Sequence, residues 1–413
     1  MGQPESGRAA GGKWWILAGL WLLYASFGLV VASVAPMVQD ILAELSMSHS
    51  AMGSVMGAWQ LVYIFAAIPC GILLDRIGGR YALLMAAALI GASALGRAFA
   101  TDYFSFLIAV MLFGVGGPIV SSGAPKVVAE YFTGSQRGLA MGIYMTGPAI
   151  GGVVCLTMTN AFFLPLFDMN WRAVMALWGV VALFAGGIWW LLASILQVDK
   201  RSAANRAEST PQLQIMAELI KAPAVRVLLL MSVGVFLYNH GLNNWLPELL
   251  RQGGKSAVQA GYWAALPTVV GILGSLLIPR LATPERRFHI LIVLCLAALL
   301  ASVLLQALDN ITLTTGLILQ GVARSSLMTV LILTLVELPG IGEQRVGVAS
   351  GMFFSAAEIG GMLGPLGMGV IFDVTGGFSA SLWSLSIVSA AMIGGAFYLK
   401  RLAGRGHPPG QAA

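Results

Sequence analysis

The chain has 413 residues and a net charge of +6; 58% of its residues are hydrophobic and only 10% are charged. A soluble protein carries roughly 25% charged residues, so this composition excludes an ordinary soluble enzyme. The basic residues do not cluster on one soluble domain, which argues against nucleic acid as a partner. Long apolar runs separate the short charged clusters, and runs of about 18 or more apolar residues predict transmembrane helices.

The apolar runs predict an all-α integral membrane fold with twelve transmembrane helices, arranged as two pseudo-symmetric six-helix bundles. The first run follows Arg8 and Lys13. Because it is long and further runs follow, we expect a retained helix rather than a signal peptide. A polar stretch over residues 197–223 predicts a linker between an N-terminal half, 1–196, and a C-terminal half, 224–413. The predicted helices span about 14–36, 51–74, 80–99, 104–129, 138–164, 173–196, 224–247, 257–279, 288–307, 312–337, 346–372 and 379–400.

The distribution of Lys and Arg predicts the orientation, because cytoplasmic loops of membrane proteins are enriched in both. Most basic residues fall on one side if both termini and the linker are cytoplasmic, so we expect a multi-pass protein of the inner (cytoplasmic) membrane. We expect three basic side chains near helix ends to extend toward the aqueous interface. These are Lys126 on the inner side and Arg97 and Arg172 on the outer side.

Two stretches of the sequence repeat and support the two-half organisation. Gly114-Val115 with Glu130 matches Gly321-Val322 with Glu337 at the same spacing, and Gln136-Arg137 matches Gln344-Arg345. Residues 140–152 then align with residues 349–361. Helices 4 and 5 therefore resemble helices 10 and 11, and repeats of this kind predict a substrate site near the membrane midplane.

The loop between predicted helices 2 and 3 carries a glycine- and arginine-rich motif, Gly71-Ile-Leu-Leu-Asp-Arg-Ile-Gly-Gly-Arg80. It resembles the G-x-x-x-D-R-x-G-R-R signature of the major facilitator superfamily, although Gly79 replaces one usual basic residue. The resemblance implies that this loop is a conformational latch. We also expect Gly71 to allow tight helix packing, and Asp75 to accept a hydrogen bond from Arg345. The alternative is that the basic residues only anchor the topology. The resemblance assigns the latch to Gly71, Asp75, Arg76, Gly78, Arg80 and Arg345.

Helix 5 carries a second glycine-rich pattern, from Gly142 through Gly147-Pro148 to Gly151-Gly152. It resembles a pattern of the antiporter branches of the same superfamily. Proline and glycine in a membrane helix also serve bending and close packing, whatever the direction of transport. Those branches usually carry an arginine early in helix 4, where this chain has Val110, which argues against a drug antiporter.

Two charged residues fall deep in predicted helices, Arg324 in helix 10 and Glu358 in helix 11. Arg324 lies about 18 Å along a helix that begins near Thr312, close to the centre of a ~30 Å hydrocarbon core. Charged groups at this depth are costly and are functional candidates. Arg324 suits an anion, with Gln320 one turn away on the same face, and Glu358 suits a transferable proton. The alternative is a structural Arg324–Glu358 pair.

Helix 7 has an unusual density of polar residues, which predicts a face lining water or substrate. Asn239, His240 and Asn243 are the candidates there; His240 is also a candidate proton relay, although a lone histidine more often makes a structural hydrogen bond. Aromatic and amide side chains elsewhere are further candidates for lining the site, although such aromatics often serve packing. They are Tyr24, Gln60, Tyr63, Tyr144 and Phe354.

The sequence predicts a proton-linked secondary active transporter of a small anionic solute, working by alternating access. The organic-anion and cyanate-permease-like importers are similar in character. The alternative function is proton-coupled efflux of drugs or a toxic metabolite. The sequence has no phosphate-binding GxxxxGK[ST] loop and no metal-ligand spacing, so we expect no enzyme activity, cofactor or metal. The expected partners are substrate, protons and lipid, and we expect a monomer.

Overall fold

The computed structural model describes residues 6–198, 212–307, 309–338, 341–342 and 345–405. Within these ranges the secondary structure is helical. Residues 199–211 of the predicted linker, and Gln344 of the repeat, lie outside the described residues. The α-helices are α1 Ser6–Ala32, α2 Val38–Glu44, α3 His49–Ala98, α4 Tyr103–Tyr131, α5 Gly134–Met158, α6 Leu164–Leu166, α7 Trp171–Ile195, α8 Gln212–Leu219, α9 Pro223–Gln252, α10 Ala257–Leu281, α11 Arg287–Leu304, α12 Asn310–Val336, α13 Val346–Thr375 and α14 Ser379–Arg405.

The described ranges contain 11 helical segments long and apolar enough to cross a membrane. One of them, α3, has 50 residues, a length of about 75 Å and more than twice a ~30 Å hydrocarbon core. Gly78 interrupts α3 with a non-helical backbone, φ 79° and ψ 167°. Because the chain turns there, α3 supplies two membrane crossings, which agrees with the twelve predicted helices.

Side-chain caps explain where several helices begin. Ser48 accepts from the Ala51 amide at the start of α3, and Asp102 forms a capping box with Ser105 at the start of α4. Asp309 accepts from the Thr312 amide at the start of α12. These hydrogen bonds hold the pKa values of Asp102 and Asp309 below their usual range. The largest contributions come from the bonds that the Ser105 and Thr312 backbone amides donate.

Two predicted helices contain breaks that the hydropathy pattern does not show. The first helix ends at Ala32 and is followed by the 3₁₀ turn Ala35–Met37, where Pro36 has no backbone N–H to continue the ladder. The fifth passes into a π-helical turn at Thr159–Phe163. In the predicted linker, α8 is a helix of 8 residues, so that segment is not wholly irregular.

The described residues fall into two compact units. Their chain ranges are Met1–Arg206 with Gly254–Ala265, and Ala207–Gly253 with Leu266–Ala413. Packing within the two units follows the sequence repeat. A Cβ on Gly114 would lie less than 3.0 Å from the Trp59 carbonyl oxygen, and one on Gly321 would lie 2.5 Å from that of Pro267. Helices α3 and α4 therefore meet as α10 and α12 do.

A second pair of glycine contacts repeats in the same way. A Cβ on Gly151 of α5 would collide with the Ala25 carbonyl oxygen of α1, and one on Gly360 of α13 would collide with that of Val233 in α9. Gly151 and Gly360 occupy equivalent positions in the aligned repeat. Close backbone approach through small residues is typical of membrane helices.

The three cysteines lie inside the helix bundles. Cys70 is 5% exposed, and Cys155 and Cys295 are 0% exposed. All three are free thiols. They are small side chains that fill the helix packing, as their places in apolar spans predict.

Candidate functional site

Arg324 on α12 has few partners within the second unit. Its Nη1 donates to the Thr268 Oγ1 of α10 at 2.9 Å, and its backbone carbonyl accepts from the Asn239 Nδ2 of α9 at 3.4 Å. Across the part of the chain that the structure describes, no carboxylate forms an ion pair with Arg324. The guanidinium is half-buried and has donor capacity left for an anion.

Glu358 and Gln320 are buried polar groups of the same unit, 7% and 0% exposed. Glu358 Oε2 has no hydrogen-bond partner among the described residues, nor has either polar atom of the Gln320 amide. The structural pair considered for Arg324 and Glu358 is not formed in this structure. A buried polar atom without a partner costs about 1–3 kcal/mol, so a solely structural role does not explain these two side chains.

The polar residues of α9 divide between the core and the candidate site. Tyr238 is fully buried and donates to the Ala298 carbonyl at 3.0 Å, which is a packing role. Asn239 is 9% exposed, and its Oδ1 has no described partner. The His240 ring lies 5.3 Å from the Phe236 ring, and Asn243 is half-buried. Asn239 is therefore an α9 side chain that contacts Arg324, through the Arg324 backbone carbonyl.

Phe354 of α13 lies one turn before Glu358 and is 37% exposed. Its ring packs edge-to-face on Phe353, with 5.6 Å between centroids. The second unit thus brings Arg324 and Asn239 into contact, and it places Gln320, Glu358 and Phe354 on the two helices that were predicted to carry them.

The candidate aromatic residues of the first unit form one connected group. Tyr24 lies 5.5 Å from both Tyr144 and Phe27, and Phe27 lies 4.9 Å from Phe113. Trp59 lies 5.5 Å from Phe113 and 6.2 Å from Tyr63. Gln60, beside Trp59 in α3, is 0% exposed. We call the aromatic cluster the set Tyr24, Phe27, Trp59, Tyr63, Phe113 and Tyr144.

Three of the four charged residues assigned to the latch, Asp75, Arg80 and Arg345, have partners within their own units. Asp75 accepts from Lys126 at 2.7 Å, and Arg345 pairs with Glu218 of α8 at 3.1 Å. Lys126 therefore holds Asp75 instead of only extending toward the interface. The predicted pair of Asp75 and Arg345 stays a prediction. Arg80 stacks on the rings of Tyr81 and Trp190.

The glycines of the same motif differ in what they do. A Cβ on Gly71 would meet no atom within 4 Å, so the prediction that Gly71 allows tight packing is wrong. Gly78 adopts φ 79°, a left-handed backbone that favours glycine. Arg76 is exposed. Gly78 is therefore the glycine on which the shape of this loop depends.

Arg97 was predicted to extend outward, and this prediction is wrong. The side chain is 2% exposed. Its Nη1 donates to the Val30 carbonyl at 3.0 Å and to Ser33 Oγ at 3.1 Å, and its Nη2 donates to Ser93 Oγ at 3.1 Å. Arg97 thus holds the end of α1. Ser93, one turn earlier on the same face, was the sequence signal for a buried partner.

Arg172 is also held within the first unit. Its Nε donates to Glu44 Oε1 at 2.8 Å, and its Nη1 donates to the carbonyls of Ala98 and Ala100. These contacts tie the start of α7 to α2 and to the end of α3. Arg172 therefore joins neighbouring elements near their ends, and its extension toward the outer interface stays a prediction.

A repeated bundle of membrane-crossing helices, with an unpaired arginine and a buried acid deep in two of them, has the design of a membrane transporter. The Major Facilitator Superfamily matches residues 20–365. The chain belongs to this superfamily. It is a multi-pass membrane transporter of small solutes and not an enzyme.

Two similar proteins indicate the range of function among relatives. The quinolone resistance transporter of Acinetobacter baumannii is 25% identical over 380 residues, 84% of each chain. The hexuronate transporter of Bacillus subtilis (strain 168) is 24% identical over 365 residues, again 84% of each chain. A bacterial homologue of the human lysosomal transporter Spinster, inward-facing and occupied, has a TM-score of 0.71 at 18% identity, covering 94% of this chain and 96% of that one. This last likeness shows the fold alone.

Proposed function

We propose that the chain is a proton-linked secondary active transporter for a small organic anion, working by alternating access. The observation that carries the proposal is Arg324, a half-buried cation whose one side-chain hydrogen bond in the described residues is to the neutral Thr268. A guanidinium matches a carboxylate with two parallel hydrogen bonds. Gln320 and Asn239, each with buried polar atoms that have no described partner, supply further donors and acceptors.

Glu358 is the proposed proton carrier. It is buried, and no described cation forms an ion pair with it. A carboxyl in such a position is stable when protonated and costly when charged. A cycle in which protonation of Glu358 accompanies substrate binding would couple substrate transport to proton transport. His240 remains a second candidate for proton transfer, and its half-buried position beside Phe236 is compatible with that role.

The likeness to a hexuronate transporter supports an organic anion, because hexuronates are carboxylates. The likeness to a quinolone resistance transporter supports the second candidate function, proton-coupled efflux. The Gly147-Pro148 pattern does not decide between them. Gly151 of that pattern packs against the α1 backbone, which is a structural task in either direction of transport.

The proposal includes a location and a topology. We propose the inner membrane, with both termini and the linker in the cytoplasm and with the transporter acting as a monomer. The excess of Lys and Arg in loops on one side supports this orientation. The latch of Gly71, Asp75, Arg76, Gly78, Arg80 and Arg345 belongs to the same proposal and would control opening on the cytoplasmic side.

Transport by reconstituted protein tests the proposed function. A thermal-shift screen of organic acids on the purified protein selects a ligand, and uptake of that ligand into proteoliposomes is then measured with an imposed pH gradient. We expect accumulation that follows the gradient and collapses when a protonophore dissipates it. Uptake that ignores both the pH gradient and the membrane potential contradicts proton coupling. A deletion strain that becomes sensitive to a toxin, and still grows on every organic acid, supports efflux.

A further inference from the structure

Thr268 of α10 is the one side chain that hydrogen-bonds the Arg324 guanidinium in the described part of the second unit. Arg324 Nη1 donates to its Oγ1 at 2.9 Å, and both side chains are half-buried. Arginine is long and has many rotamers, and a neutral hydroxyl can hold it in one of them without cancelling its charge. The orientation of the guanidinium therefore depends on Thr268.

The hydrogen bond to Thr268 uses only one corner of the guanidinium. The group has five N–H donors in one plane, and among the described residues neither Nε nor Nη2 donates to an acceptor. The N–H bonds of Nε and Nη2 run parallel along one edge, which matches the two oxygens of a carboxylate. Thr268 thus holds the group by Nη1 and leaves this edge to a bound anion.

Close packing of α10 on α12 fixes the place of the Thr268 hydroxyl. On one side of Thr268, a Cβ on Gly321 would lie 2.5 Å from the Pro267 carbonyl oxygen. On the other side, a Cβ on Gly271 would lie 3.3 Å from the Gly321 carbonyl oxygen and 3.3 Å from the Ser325 Cβ. Threonine is also β-branched, so few χ1 rotamers are open to it in a helix. The hydroxyl is therefore held at a set distance from α12.

The first unit has neither member of this pair. The glycine contact that repeats between the two units aligns Gln60 with Thr268 and Gly117 with Arg324. The repeated pair of helices thus packs closely without the hydroxyl and without the guanidinium. The arginine and the threonine that holds it are both additions made in the second unit.

We propose that Thr268 is a positioning residue of the anion site: its hydroxyl orients the Arg324 guanidinium, and it does not itself bind the anion. The inference rests on the proposed function, in which Arg324 binds the anionic group of the substrate. An oriented guanidinium binds more tightly, because the ordering of a flexible side chain no longer has to accompany binding.

Isothermal titration calorimetry on purified full-length protein tests the proposal with four carboxylates of different size, acetate, benzoate, tartrate and glucuronate. Thr268→Val keeps the shape and loses the hydroxyl, so we expect it to weaken the tightest-binding probe roughly threefold to tenfold. Thr268→Ser keeps the hydroxyl and should stay within about twofold of the unaltered protein. The matched control is Thr334→Val on α12, where the buried hydroxyl donates to the Val330 carbonyl of its own helix at 2.6 Å. This control should leave the affinity unchanged.

A double-variant cycle shows whether Thr268 acts through Arg324. Arg324→Gln should by itself weaken binding roughly tenfold or more. In that background, Thr268→Val should cause less than about a twofold further loss. An equal loss in both backgrounds would overturn the positioning role, because Thr268 would then act without Arg324.

The remaining outcomes separate this proposal from the one on which it rests. Melting temperatures show which variants are folded, and Thr268→Ala takes the place of Thr268→Val if the valine variant does not fold. If Arg324→Gln weakens binding and the folded Thr268 variant does not, the positioning role fails and the anion site stands. If Arg324→Gln weakens none of the probes, the anion site fails. No binding of any probe at about 10 mM would count against both.

Discussion

At the scale of single residues, two arginines in membrane-crossing helices have opposite surroundings. Arg97 is almost fully buried, and three oxygens of the first unit accept from its two Nη atoms. Arg324 is half-buried and donates to one side-chain oxygen. Burial of a cation is costly unless its donors are satisfied. Both Nη groups of Arg97 have acceptors, which gives this residue a structural task, and the fewer partners of Arg324 support the proposed anion site.

Arginine-to-glutamine changes should separate these two tasks. Arg97→Gln removes charged hydrogen bonds that hold the end of α1, so we expect a loss of about 1–3 kcal/mol of stability, seen as a lower melting temperature in detergent. Affinity for the screened ligand should change less than about twofold. Arg324→Gln should weaken binding of the ligand and leave the melting temperature nearly unchanged. An Arg97→Gln protein with normal stability and lost binding would contradict this assignment.

Arg324→Lys should impair transport nearly as much as Arg324→Ala, because lysine keeps the charge and loses the planar fork. We expect a loss of roughly tenfold to a hundredfold in affinity, the range for hydrogen bonds to charged groups. Initial uptake rates in proteoliposomes provide the measurement. Normal gradient-driven uptake by the double variant Arg324→Gln with Glu358→Gln would instead support a structural pair.

At the scale of helices, glycine contacts decide which elements approach closely. Gly151→Ala would place a Cβ against the Ala25 carbonyl, closer than 3.0 Å, so α1 and α5 must separate. We expect a loss of about 1–3 kcal/mol in stability. Gly142→Ala is the matched control on the same helix, since its Cβ would meet nothing within 4 Å. The measurement is the melting temperature of each variant. Equal melting temperatures for Gly151→Ala and Gly142→Ala would contradict the close contact between Gly151 and the Ala25 carbonyl.

The loop motif within α3 offers a second glycine comparison. Gly78 has φ 79° and ψ 167°, a region that is essentially restricted to glycine, and alanine there would cost about 1–3 kcal/mol. Gly71 is helical with free space around it, so alanine there should be neutral or stabilise by up to about 1 kcal/mol. Urea or thermal unfolding of both variants, together with their uptake rates, tests this. A harmful Gly71→Ala would show that Gly71 acts in a conformation other than this one.

Hydropathy predicted the helices well because a span needs a long apolar run, and the caps at Ser48, Asp102 and Asp309 lie close to the predicted boundaries. It missed the breaks after α1 and α5, since a few irregular residues do not change the mean hydropathy. It also misplaced Arg97, because the direction of one side chain depends on helix rotation. The polar residues of α12 and α13 stand out in the sequence because intramembrane charge is rare, and their role in transport stays a prediction.

At the scale of the whole molecule, one repeated scaffold carries two different surfaces. The glycine contacts that hold α3 to α4 recur between α10 and α12, so the packing is common to both units. Arg324, Gln320 and Glu358 have Gly117, Phe113 and Ala149 as counterparts. These polar and charged side chains are thus additions to the repeated scaffold, which supports their proposed role in transport.

Proton coupling is a property of the complete transport cycle. Glu358→Gln should uncouple substrate transport from proton transport. A glutamine stays neutral, so the carrier can change access without releasing a proton. We expect loss of accumulation driven by a pH gradient, with exchange of labelled for unlabelled substrate retained at more than about half the normal rate. Proteoliposome counterflow measures the exchange. Full gradient-driven accumulation by Glu358→Gln would remove Glu358 from the proposed mechanism.

The burial of Cys70, Cys155 and Cys295 makes the unaltered chain a suitable background for site-directed labelling. A maleimide that cannot cross the bilayer should react slowly with the native thiols and quickly with one cysteine introduced on an exposed loop. Gln252→Cys, at the last residue of α9, and Gly342→Cys, before α13, are exposed positions on opposite sides of the proposed topology. In intact cells only the first should label, and permeabilised cells should label both.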